Sequence, residues 1–134
     1  MLFIASSAAS GQSESIRSEK LEDPAFARFY HGIRRCVTGT RPDCLTQYLD
    51  PTFSFSPWWE DGDRLVARSE FARFAWRSTP RGSNASLWQS ISSVFLRGQL
   101  REVDGGVRFY RGNIECRAYE VRDAYLVTHC DSRE

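Results

Sequence analysis

Residues 100–130 read LREVDGGVRFYRGNIECRAYEVRDAYLVTHC. Apolar and polar residues alternate here with the two-residue period of a strand, and turn residues interrupt the alternation at short intervals. Residues 100–103 and 107–111 flank Asp104-Gly105-Gly106, a hairpin signal. Gly112-Asn113 marks a second turn, and residues 114–121 and 124–130 make a second hairpin around Arg122-Asp123-Ala124. The last third of the chain therefore reads as an antiparallel meander.

Ahead of it the period is helical. Asp23-Pro24 is an N-cap followed by proline at the first helical position. Phe26, Phe29, Tyr30, Ile33 and Val37 then recur on one face, and Gly39 ends the helix. Thr40 and Asp43 open a shorter helix carrying Leu45, Tyr48 and Leu49, which Asp50-Pro51 stops. Phe53 and Phe55 alternate with small polar residues between Pro51 and Pro57, as in an edge strand, and Leu65-Val66 returns as a short strand. Ser69 is placed to cap a third helix with Phe71, Phe74 and Ala75. Asn84 is placed to cap a fourth with Leu87, Trp88, Ile91, Val94 and Phe95, closed by Gly98. The order predicts an α+β domain: about four helices, mostly N-terminal, packed on an antiparallel sheet formed largely by the C-terminal meander.

The four cysteines, Cys36, Cys44, Cys116 and Cys130, allow three pairings. Cys36 ends one helical pattern and Cys44 begins the next, so a short helical hairpin brings them together. Cys116 and Cys130 flank Asp123 symmetrically; a three-residue loop at 122–124 would set them directly opposite each other. Two disulfides imply an oxidising compartment. The spacings do not suit zinc: there is no C-x-x-C, and His129 beside Cys130 points to the other face of a strand. No metal and no cofactor is expected.

Small residues follow the apolar start Leu2-Phe3-Ile4, as in a signal-peptide cleavage region, although a basic n-region is lacking. Residues 1–20 are expected to be a remnant signal peptide and flexible leader, and residues 21–134 a single domain. The run is too short for a membrane span, which takes about 20 apolar residues. Length, at 134 residues, fits one domain, and a 41% hydrophobic fraction supplies a core. The net charge of +1 gives no electrostatic reason to expect nucleic acid or anionic membrane as partner.

Functional candidates are few. Trp58 and Trp59 follow a strand in a turn, where two adjacent indoles cannot both point inward easily; an exposed one can anchor sugar, peptide or protein. Glu60, Asp61 and Asp63 lie beside them, as a solvated turn or as a cation or substrate contact. Asp63, His31 and His129 are the weak candidates for acid–base chemistry, with no partner geometry evident. Asn84-Ala85-Ser86 matches a glycosylation sequon, but helix capping is the simpler role. There is no G-x-S-x-G elbow, dinucleotide fingerprint or P-loop.

Two resemblances accompany this reading. The stretch from Phe26 to Trp76 resembles the opening of NTF2-like cone domains: a helix pair, a strand, an acidic turn with glycine and a third helix. That resemblance implies a cone-shaped pocket; the departure is a fourth helix at 84–97, where such domains continue into their sheet. The segments Phe26-Ala27-Arg28-Phe29-Tyr30 and Leu87-Trp88-Gln89-Ser90-Ile91, with Val94-Phe95-Leu96-Arg97-Gly98, are similar to uncharacterised exported bacterial α+β proteins. Neither implies a catalytic residue. The leading expectation is an exported, periplasmic or secreted, non-catalytic binding module of the bacterial envelope, contacting a protein or envelope component through the tryptophan loop. The alternatives are an NTF2-like small-molecule binder or acid–base isomerase or dehydratase, and a secreted enzyme inhibitor.

Overall fold

A computed structural model describes residues 4–60, 62 and 64–132. The meander forms one four-stranded antiparallel sheet in simple order: β3 (Gln99–Val103), β4 (Gly106–Arg111), β5 (Ile114–Val121) and β6 (Ala124–Ser132), preceded by a small separate pair, β1 (Ser54–Phe55) and β2 (Val66–Ala67). The helices are α1 (Ile4–Lys20), α2 (Pro24–Thr38), a 3-10 helix (Pro42–Tyr48), α3 (Arg68–Arg77) and α4 (Leu87–Arg97). The architecture is α+β, with the helices mostly N-terminal.

α2 starts where Asp23 and Pro24 place it. The Asp23 carboxylate accepts the N–H of Ala25 at 3.0 Å, and Pro24 fills a position whose own N–H would lack a partner. Its apolar face presents Phe26, Phe29 and Tyr30 to the sheet. These rings meet Phe109 of β4, Tyr125 of β6 and Phe95 of α4, with Phe26–Tyr125 at 5.3 Å and Phe95–Phe109 at 5.1 Å between centroids. All six are buried, so aromatic side chains fill the space between helices and sheet. Arg34 of α2 donates to the carbonyls of Phe95 and Leu96, at 2.8 and 3.1 Å, satisfying the end of α4.

Two caps differ from those expected. α4 is capped by Ser86, not Asn84: Ser86 and Gln89 exchange hydrogen bonds in a full capping box, a pattern that Asn84 two residues earlier has no partner to make. α3 begins at Arg68 after Ala67, with no side-chain cap, so Ser69 lies inside the helix.

Both disulfides form as paired above. Cys36 and Cys44 join α2 to the 3-10 helix with Cα atoms 5.8 Å apart, and Cys116 and Cys130 join β5 to β6. The second arises by a route other than the one expected. The hairpin turn has two residues, Arg122 and Asp123, both at positive φ, and Val121 pairs with Ala124. Unbroken, that register would set Cys116 against His129. A bulge at Arg117/Ala118 leaves Thr128 without an opposite residue, and beyond it Arg117 faces His129 and Cys116 faces Cys130.

Residues 11–20, expected to be a flexible leader, continue α1 alongside the sheet. Ser13 is buried, and its hydroxyl accepts the N–H of Leu100 on the edge strand β3 at 2.9 Å. At the opposite edge Asp50 donates its N–H to the Val127 carbonyl of β6, where Leu49 bridges to Val127. No described helix is long and apolar enough to cross a membrane.

Candidate functional site

Buried Phe55 on β1 and Pro57 after it carry the chain into the tryptophan turn. The next two residues then take different roles. Trp59 turns inward and stacks on Phe74 of α3, with centroids 5.9 Å apart and ring planes 21° apart. Trp58 stands edge-on to Trp59 at 4.7 Å and to Phe55 at 5.7 Å, and remains 40% exposed. Phe55 in turn rests on buried Phe71. Trp58 is thus an indole held in place from beneath by a column of rings while one face meets water. A ring so fixed loses little rotamer freedom on binding.

Glu60, the third member of the expected group, is engaged within the chain. Its carboxylate pairs with Arg64 at 3.2 Å, and the Arg64 guanidinium lies over the Phe74 ring at 5.1 Å. Asp61 and Asp63 lie outside the described residues.

Arg64 and Phe74 also line a neighbouring open cleft of about 570 Å³ between the 3-10 helix and α3, which the sequence reading missed. Arg73 and Arg77, one turn apart on α3, add two more guanidinium groups. Arg73 is tied at 3.5 Å to Asp43, while Glu70 supplies a second carboxylate. The four-residue spacing of Arg73 and Arg77 was readable as one helix face; that Arg64 joins them was not, because the turn between β1 and β2 decides it. Chemically the cleft offers guanidinium forks for a carboxylate or similar anion, beside aromatic surface for an apolar group.

The histidines do not join this site. His31 is exposed on α2, edge-on to Tyr30, and lines a shallow cleft with Arg34 and Thr38. His129 sits on β6 with its Nδ1 3.0 Å from the Thr128 hydroxyl, opposite Arg117. None of the clefts described here holds both. Among the described residues no three of His, Cys, Asp and Glu group as a metal site requires. The carboxyl group held below its ordinary range, Asp50, owes this first to the Thr52 hydroxyl and then to the Thr52 N–H, and is part of a turn beside the 3-10 helix.

No family model matches the chain, and no curated protein matches it. A solved structure named as a variant of Rd1NTF2_05, a designed NTF2-like protein, is 14% identical; the overlap covers 88% of this chain and 97% of that one, with a TM-score of 0.36. An overlap that loose carries no argument about this chain.

Proposed function

We propose that this chain is an exported, non-catalytic binding module that holds a protein or envelope partner through Trp58 and the arginine cleft beside it. The observation that carries the reading is the half-exposed indole of Trp58, propped by Trp59 on Phe74. Exposed tryptophans on rigid supports are favoured binding anchors. The partner that fits offers an apolar recess for the indole and an acidic group for Arg77, whose guanidinium makes no hydrogen bond or ion pair among the described residues. The two disulfides support an oxidising, exported setting, periplasmic or secreted.

A photo-crosslinking residue at position 58 would capture the partner in the native compartment. With that partner purified, Trp58→Ala is expected to weaken binding about 30-fold or more, the range of a hot-spot residue. An unchanged dissociation constant in Trp58→Ala would sink the reading. Turnover that depends on His31 or His129 would move it to the acid–base alternative.

A further inference from the structure

The face of the sheet turned away from α2 and α4 carries a row of basic residues. Through the register, Arg101 of β3 stands opposite Arg108 of β4, Arg108 opposite Arg117 of β5, and Arg117 opposite His129 of β6. Directly paired residues point to the same face, so four adjacent strands place four basic side chains in one line, at about the 4.8 Å strand spacing.

Stability alone gives no reason for this line. Like charges directly opposite on neighbouring strands destabilise the pairing. Glu115 offsets part of the repulsion: its carboxylate is buried and lies 3.3 Å from Arg108 Nε and 3.2 Å from Arg117 Nε. Arg108 also rests over the Tyr110 ring at 4.9 Å, and hydrogen bonds to Glu115 and then to Tyr119 hold Arg117 protonated more firmly than usual. Arg108 and Arg117 are thereby held in position with their side chains 15% and 36% exposed, while Arg101 at the end of the row is exposed and makes no ion pair among the described residues. Tyr110 and Tyr119 flank the line on either side and are half-buried. Opposing charge on this face comes from Glu115 and, at the β6 margin, exposed Asp131. A local rule broken and held in place by a buried counter-charge is the pattern of a functional surface.

We propose that this face binds an extended anionic polysaccharide, its carboxylate or sulfate groups running along the row from Arg101 to His129 and a sugar ring resting on Tyr119. Three arginines and a histidine at successive strand positions suit a linear polymer that carries anions along its length. The Tyr119 ring beside them suits the apolar face of a sugar. A disulfide-bonded chain meets such polymers, rather than nucleic acid, in an oxidising compartment. This surface is distinct from the tryptophan loop and does not depend on it.

The test is calorimetric titration of the intact protein with a short oligogalacturonate and with a heparin oligosaccharide, at low and moderate salt. Expected are binding of at least one, weakening with salt, and about a fivefold or greater loss in Arg101→Glu. Arg101 is exposed, so the variant keeps its fold; Arg81→Glu, the same charge change on the loop before α4, is expected to stay within about twofold. No binding at low salt overturns the proposal. So does equal loss in both reversals, or tighter binding of single-stranded DNA than of either glycan. Loss in Trp58→Ala with Arg101→Glu unaffected would place the glycan on the tryptophan loop and also overturns it.

Discussion

Trp58 and Trp59 are the same chemically and adjacent in sequence, yet removing each should have a different effect. Trp59 stacks on Phe74 and closes the ring column, so Trp59→Ala is expected to lower stability by about 2 kcal/mol, below the core range because the ring is only half-buried. Trp58→Ala should change it by less than about 0.5 kcal/mol, because its outer face is already in water. Urea midpoints with unchanged slopes would check both, and equal losses would refute the division of roles. The pair itself was legible in the sequence. Which indole faces outward was not, since that depends on where Phe74 of another element stands. Asp50 makes a second residue-scale prediction. Its carboxylate accepts from Thr52 and titrates below its ordinary range, so the folded state binds fewer protons than the unfolded state there. The stabilisation is present above about pH 4 and is lost as pH falls through the folded value. The stability difference between the native protein and Asp50→Asn should therefore narrow below about pH 4; a constant difference would contradict this.

For the elements, legibility follows the range of the interactions that shape them. The turns of the meander were readable because Asp104-Gly105 and Gly112-Asn113 state their own backbone demands, with Gly105 and Gly112 at positive φ. Helix α2 was readable from its cap and face. The cap of α4 was misplaced because Asn84 and Ser86 both suit the role locally, and Gln89 decides between them. The Cys116–Cys130 pairing was legible, but the register behind it was not. Residues opposed across a two-residue turn are an odd number apart, whereas these cysteines are separated by 14. One extra residue must be absorbed somewhere, and the chain absorbs it at Thr128 instead of in the turn. Deleting Thr128 should accordingly leave both bridges formed, read as no free thiol in the denatured protein. Two free thiols would show that the bulge itself positions Cys130. Opening the 15-residue loop by reduction should remove about 3 kcal/mol in the chain-entropy model. The His129 end of the basic row was invisible in the sequence for the same reason: Arg117 meets His129 only past the bulge.

For the whole molecule, the α+β order was legible because beyond Gly98 the hydrophobic period stays that of a strand, after helices interrupted by one short strand pair. The place of residues 11–20 was not. Their composition is that of a solvated tail, and tertiary contacts draw them in: Ser13 on Leu100 and Ile16 against the core. The Ser13–Leu100 bond and the Asp50–Val127 bond occupy one edge of the sheet each. An open sheet invites further strands to add at its sides, which is the usual start of self-association. Here a hydrogen bond is taken on each edge strand and α1 lies against β3, so the folded molecule gives a neighbouring copy less template to extend. Residues 21–134 alone should lose that protection at β3 and form concentration-dependent oligomers in light scattering, while the full chain stays monodisperse. If the shortened chain also stays monodisperse, β3 resists addition by itself. If it does not, the N-terminal helix acts as a built-in guard against aggregation.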